Sequence, residues 1–208
     1  EFVGTFFLLL AVVGSGIMAE SLSTDVGLQL LENSFATAGA LTCLILTFGR
    51  VSGAHFNPVV TFWARLDGDI DNRTALSYVA VQIPGAILGA MAANIIFELD
   101  AVHWSTKQRS DPSLWLSEVL ATFGLLMVII GVVRSRKDHW VAISVAAYIG
   151  GAYFFTSSTS FANPAVTVAR TFSDTFAGIA PASAPMFIVC QLIGCLLAVG
   201  VMRITHPK

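Results

Sequence analysis

Two asparagine–proline pairs are the residues in this sequence best placed to act on a solute. The first lies in Asn57-Pro58-Val59-Val60-Thr61 and the second in Asn163-Pro164-Ala165-Val166-Thr167, identical at four of five positions. Asparagine is a favoured helix N-cap and proline is favoured at the first helical position. Each pair therefore predicts the start of a helix. Such an end carries about half a positive elementary charge from the aligned peptide dipoles, and the asparagine amide adds N–H donors. Two helix starts facing each other would repel cations and hydrogen-bond a passing neutral oxygen.

Other chemistry is sparsely provided for. Ser52 with His55, and the run Thr156-Ser157-Ser158-Thr159-Ser160, supply hydroxyls, but no G-x-S-x-G or H-E-x-x-H pattern accompanies them. An intramembrane enzyme is thus a remote alternative. Cys43, Cys190 and Cys195 stand in apolar stretches without C-x-x-C or Cys/His spacing, so no cofactor or metal is expected. Glu1, Glu32 and Glu118 are the acids inside apolar runs. Proton coupling would need such groups, and uptake that follows an imposed proton gradient would mark a coupled transporter.

The elements that must hold the Asn-Pro pairs follow from composition. Of 208 residues, 55% are hydrophobic and 12% charged, with net charge −2; a soluble domain carries about 25% charged residues. Mean hydropathy is +0.77. This excludes a nucleic-acid binder, which needs a basic patch, and an ordinary soluble enzyme. A membrane-crossing helix needs about 20 apolar residues. Six stretches qualify, at residues 2–19, 28–48, 74–97, 114–133, 140–158 and 182–204. Small residues recur in them, as in Gly14-Ser15-Gly16 and Gly85-Ala86-Ile87-Leu88-Gly89-Ala90, and allow close helix approach. Residues 51–66 and 159–170, which hold the Asn-Pro pairs, are too apolar for solvated loops and too short to span. They are expected to re-enter the membrane against protein.

The repeat reaches beyond these segments. Glu1-Phe2-Val3-Gly4-Thr5-Phe6 matches Glu118-Val119-Leu120-Ala121-Thr122-Phe123, and Gln82-Ile83-Pro84-Gly85 matches Gln191-Leu192-Ile193-Gly194. Each half, approximately 1–97 and 114–208, reads as span, span, Asn-Pro segment, span, and 1–208 reads as one domain. Three spans per half is an odd number, so the second half is inverted relative to the first, an arrangement that places a solute path at the midplane. Arg50, Arg65, Arg73, Arg134, Arg136, Lys137, Arg203 and Lys208 fall on one side, and Lys107, Arg109 and Arg170 on the other. The cationic side faces the cytoplasm, which puts both termini there.

Ser52-Gly53-Ala54-His55-Phe56-Asn57-Pro58-Val59 and Phe161-Ala162-Asn163-Pro164-Ala165 resemble the two signature loops of the aquaporin family, the major intrinsic proteins. The resemblance covers essentially the whole chain. It implies an all-α membrane protein with six transmembrane helices and two re-entrant half-helices in an inverted repeat. It also implies a passive channel for water or small uncharged solutes, a homotetramer in the lipid bilayer with one pore per subunit. By the same resemblance, Asn57, Pro58, Val59, Asn163, Pro164 and Ala165 form the midplane constriction. Carbonyls of Gly53, Ala54, His55, Thr159, Ser160 and Phe161 line the pore, and Glu1 and Glu118 anchor the loops. His55 has a second reading as a loop anchor.

The family narrows its pore near the outer mouth with four residues. Gap-free spacing from the asparagines puts these at Thr37, Gly151, Ser160 and Val166. Water-selective members typically have an aromatic, a histidine, a small residue and an arginine there, and glycerol-conducting ones an arginine followed by aspartate. Val166-Thr167 matches neither. The expectation is a wide, weakly polar pore for water and larger neutral solutes: glycerol, urea or uncharged metalloid hydroxides such as arsenous acid. Arginine-less members occur in bacterial arsenic handling, which implies a bacterial inner (plasma) membrane. A strict water channel is the alternative, with Phe154, Phe155 or Phe161 leaning into the gap. Arg170 is expected as a solvated cation at the outer end of its half-helix, and residues 98–113 as a cap over the outer mouth.

Overall fold

The computed structural model describes residues 1–207. Its helices are α1 (Phe2–Leu22), α2 (Val26–Ser52), α3 (Pro58–Asp67), α4 (Asn72–Ile96), α5 (Pro112–Arg134), α6 (Val141–Phe155), α7 (Pro164–Ala169) and α8 (Ala184–Thr205), with no strand among the described residues. Local chemistry explains many of their ends. Asp25 and Asp71 accept from the backbone N–H groups of Leu28 and Thr74 and so cap α2 and α4. Pro112, Pro58 and Pro164 occupy first helical turns, where their missing N–H costs nothing. Gly53 and Gly68 end α2 and α3 in the left-handed region, at φ 87° and 84°.

Five helices, α1, α2, α4, α5 and α8, are long and apolar enough to cross a membrane. The sixth, α6, has 15 residues, about 22 Å at 1.5 Å per residue. It begins after a single 3₁₀ turn, Asp138–Trp140, and ends three residues before the expected 158. Thr156 is extended, and Thr159 and Ser160 take positive φ, so this stretch turns downward as a loop instead of finishing the helix. Conversely, α2 continues to Ser52, past the expected 48.

The packing repeats along with the sequence. α1 lies against α4 and α2, α5 lies against α8 and α6, and the two triplets meet where α2 touches α6. The short helices α3 and α7 each pack on both α4 and α8. Close crossings make this possible. A Cβ on Gly85 would stand 2.6 Å from the Phe2 carbonyl oxygen, and one on Gly194 would stand 2.4 Å from that of Val119. Both distances are far inside van der Waals contact, so these two positions admit only glycine without helix separation. Outward faces carry large apolar side chains such as Phe35, Leu46, Leu120, Ile143 and Leu197. That face suits hydrocarbon, not water.

Candidate functional site

The half-helices meet N-terminus to N-terminus. The Asn57 amide donates to the Ala162 carbonyl at 2.8 Å, and the Asn163 amide donates to the Phe56 carbonyl at 2.8 Å. Each asparagine oxygen meanwhile caps its own helix, accepting from Val59 N in one case and from Ala165 and Val166 N in the other. An amide NH₂ has two protons. One is spent on the cross-tie, which leaves one on each asparagine, and both side chains border the central cavity.

The loops leading to the asparagines are strained in the same way. Ala54 and Ser160 both have φ 51°, Phe56 and Ala162 both have φ 47°, and Gly53 and Thr159 have φ 87° and 64°. Such conformations persist only where the surroundings over-determine them. Here a carboxylate does so in each half. Glu1 accepts from His55 N, Phe56 N, the Ser52 hydroxyl and the Gln82 amide. Glu118 accepts from Phe161 N, Ala162 N and the Gln191 amide. Each glutamine also donates to a half-helix threonine, Gln82 to Thr61 and Gln191 to Thr167. The matching Gln and Thr were in the repeat from the start; their joint role emerges only in three dimensions.

A cavity of about 650 Å³ runs along the axis. Its walls are helical stripes at spacing three or four: Leu8 and Val12 of α1, Thr37, Leu41 and Ile45 of α2, Leu125 and Ile129 of α5, Val145, Ile149 and Tyr153 of α6. This is the i, i+4 face of each helix. Arg50, Asp69, Asp138 and His139 mark one end, and Thr37, Tyr153, Ser160, Val166 and Arg170 line the other. The asparagines lie between. The buried Ser160 hydroxyl and Trp63 indole nitrogen find no hydrogen-bond partner in the protein.

Of the residues expected at the pore, Gly53, Ala54, His55, Asn57, Ser160, Phe161, Asn163 and Val166 stand on this wall, together with Thr37. Pro58, Val59, Pro164 and Ala165 do not; they form the first turns of α3 and α7 behind the asparagines. Thr159 is also off the wall. His55 combines both of its readings: it borders the cavity, its Nδ1 is 3.1 Å from the Thr61 hydroxyl, and its ring meets Tyr78 edge-on.

Two filter expectations need correction. Gly151 is exposed on the outer face of α6 beside Phe155 and has no place on the wall. Tyr153 is there instead, its hydroxyl 3.2 Å from that of Thr37. Two residues along a helix turn the side chain by about 200°, and gap-free counting from Asn163 misjudged the loop between α6 and α7. Arg170 is not a solvated cation. It is 2% exposed, its guanidinium lies 3.4 Å from the centre of the Phe161 ring, its Nε donates to the Ala177 carbonyl, and it borders the cavity. Of the aromatics considered as gap fillers, Phe161 reaches the wall, whereas Phe154 and Phe155 are exposed outside.

Residues 98–113 lie along the loop that follows α7. His103 N and Ser105 N donate to the carbonyls of Phe172 and Thr171, and Ala180 N donates to that of Lys107. Arg109, which the sequence did not single out for this purpose, is buried and donates to the carbonyls of Gly178 and Ser158.

Spanning helices around a polar-centred axial cavity, closed at the middle by two opposed helix starts, define a membrane channel. Comparison with known proteins agrees. The family model for the major intrinsic proteins matches residues 1–162. The chain is 44% identical over 203 residues to aquaglyceroporin AqpS of Rhizobium meliloti (strain 1021), covering 98% of this chain and 87% of that one. It is 29% identical to aquaporin Z of Bradyrhizobium diazoefficiens, covering 98% and 90%. In fold it is similar to the X-ray structure of the aquaglyceroporin from Plasmodium falciparum, with TM-score 0.74 at 21% identity over 97% of this chain and 92% of that one. The chain belongs to the major intrinsic protein family; it is an integral membrane channel for small neutral solutes and not an enzyme.

Proposed function

We propose that this channel passes solutes larger than water, among them glycerol, urea and arsenous acid, through an outer limb bounded by Thr37, Tyr153, Ser160, Phe161, Val166 and Arg170. One observation carries the reading. This limb combines hydroxyls with apolar surface and offers no carboxylate. A polyol or metalloid hydroxide pairs its own hydroxyls with the first and its remaining surface with the second. Asn57 and Asn163 then form the midplane station, where the spare amide protons bind a neutral oxygen and the helix dipoles oppose cations. Glu1 and Glu118 hold the loops that aim the carbonyls of Ala54, His55, Ser160 and Phe161.

The Thr37–Tyr153 contact supports a second reading, a strict water channel, because a hydroxyl bridge between α2 and α6 narrows this limb. Stopped-flow swelling of proteoliposomes in glycerol, urea and arsenous acid, beside water, separates the two. Fast flux of the larger solutes supports the wide channel, and Val166→Arg should then cut glycerol flux by about tenfold or more while sparing water. Water flux alone supports the narrow one.

The same reading places both termini on the cytoplasmic side of a bacterial plasma membrane, where the cationic loops favour them. It also makes the chain one channel unit within a homotetramer, whose contacts would cover outward apolar rows such as that of Phe35.

A further inference from the structure

A formal charge in a membrane protein needs an ion pair, a full set of hydrogen bonds or a wet cavity. Arg170 has little of the first two. It forms no ion pair among the described residues. Its Nε donates to the Ala177 carbonyl, whereas its two terminal nitrogens donate to no described protein group and are not among the buried atoms left without a partner. With the whole residue 2% exposed and on the cavity wall, those nitrogens face the cavity.

The surroundings keep the guanidinium there. Its plane rests on Phe161, which itself packs edge-on against Phe187. A cation over an aromatic face is held without being neutralised. The charged groups within electrostatic range are Arg109, Lys107 and Glu118. Glu118 is already engaged by two backbone N–H groups and Gln191. Arg109, 5.1 Å from the same Phe161 ring, has Nε and one terminal nitrogen committed to backbone carbonyls, and it adds positive potential from behind the wall. Val166, one turn earlier on α7, contributes only a small apolar surface to the same limb.

Resting on the channel reading above, we infer that Arg170 is the charge-selecting residue of the outer limb. It turns back cations and protons before they reach the asparagines, and it offers its free N–H groups to the oxygens of neutral solutes. The valine at position 166 widens the limb for bulk, while the cation one helical turn deeper in sequence preserves exclusion of charge. Size selection and charge selection are thereby assigned to different residues.

The test compares wild type, Arg170→Gln, Arg170→Lys and Val166→Asp in proteoliposomes. Glycerol flux is read by light scattering, proton flux by an internal pH dye under a potassium–valinomycin potential, and sodium conductance in planar bilayers. The expected result is that Arg170→Gln raises proton and sodium leak by about tenfold or more relative to its glycerol flux, whereas Arg170→Lys stays tight. Val166→Asp leaves Arg170 and its Ala177 contact in place but sets a carboxylate one turn away, and it should leak as well by pairing with the guanidinium. It therefore decides the matter if Arg170→Gln does not fold. The proposal is overturned if a folded, glycerol-conducting Arg170→Gln or Val166→Asp channel excludes protons and sodium as wild type does. Wild-type vesicles that pass no glycerol would instead overturn the solute reading beneath it, a failure visible before any variant is made.

Discussion

The loop from Gly53 to Asn57 and the loop from Thr159 to Asn163 follow the same backbone path, position by position, through the same positive φ angles. Both end in an asparagine that caps its own helix and ties to the other loop. They part company at the residue two before the asparagine. His55 hydrogen-bonds Thr61 and meets Tyr78, so the first loop is steadied by neutral polar contacts. Phe161 has Arg170 over its ring and Arg109 nearby, so the second is built around cations. Their carboxylate anchors differ too. Glu1 is half-buried and takes four hydrogen bonds, one from Ser52. Glu118 is wholly buried and takes three: Ser52 and its counterpart Ser158 both accept from the backbone N–H two residues on, but only Ser52 also donates to its carboxylate. A shared frame thus carries the midplane, and the departures from symmetry fall where selectivity is proposed to lie.

The sharpest way to break this comparison is to remove the anchors one at a time. Glu118→Ala strands two buried N–H groups and an amide, with no water at hand, and should cost ~3 kcal/mol or more. We expect loss of folded protein in thermal melts of the detergent-solubilised channel. Glu1→Ala strands the matching N–H groups of His55 and Phe56 and should lower the melting temperature as well. An unchanged melt in either variant would mean that the carboxylate does not hold its loop.

Helix crossing comes next. Gly85→Ala and Gly194→Ala should each cost about 1–3 kcal/mol through overpacking, seen as lower melting temperatures. Near-equal shifts would sharpen the structural equivalence of the two crossings, since both Cβ atoms would meet a carbonyl oxygen.

Tyr153→Phe is a smaller and more local change. It deletes the hydroxyl shared with Thr37 and should alter the ratio of glycerol to water flux by a few-fold, with stability changed by about 1 kcal/mol or less. An unchanged ratio would remove Tyr153 from the filter.

The smallest effect belongs to the outer loops. Asp174 accepts from Thr106 N at 2.8 Å and from the hydroxyls of Thr106 and Ser105, and the backbone N–H holds its carboxyl below the ordinary aspartate range. A depressed carboxyl contributes stability above its unfolded pKa, and that contribution is lost as pH falls through the folded value. Hydrogen exchange near Thr106 should therefore quicken below about pH 4, and Asp174→Asn should flatten that dependence. Because the carboxylate is exposed, global melting should scarcely move.

Residues acting on near neighbours in the chain were legible from the start. Asparagine followed by proline caps a helix through contacts two and three residues away, whatever surrounds it, and the duplicated Asn-Pro, Glu and Gln motifs exposed the repeat. Runs of apolar residues located six spans, with errors where a helix end depends on the loop after it, as at Phe155. The wall of the outer limb was decided by tertiary structure. Whether Gly151 or Tyr153 faces the axis depends on the rotational phase of α6, which its packing on α2 and α5 sets, not on distance along the chain from Asn163. Whether Arg170 enters water or the cavity depends on Phe161 and on Ala177, the first nine residues before it and the second seven after. The sequence alone determined that two helix starts would meet; how the space beside them is filled depended on side chains brought together from distant parts of the chain.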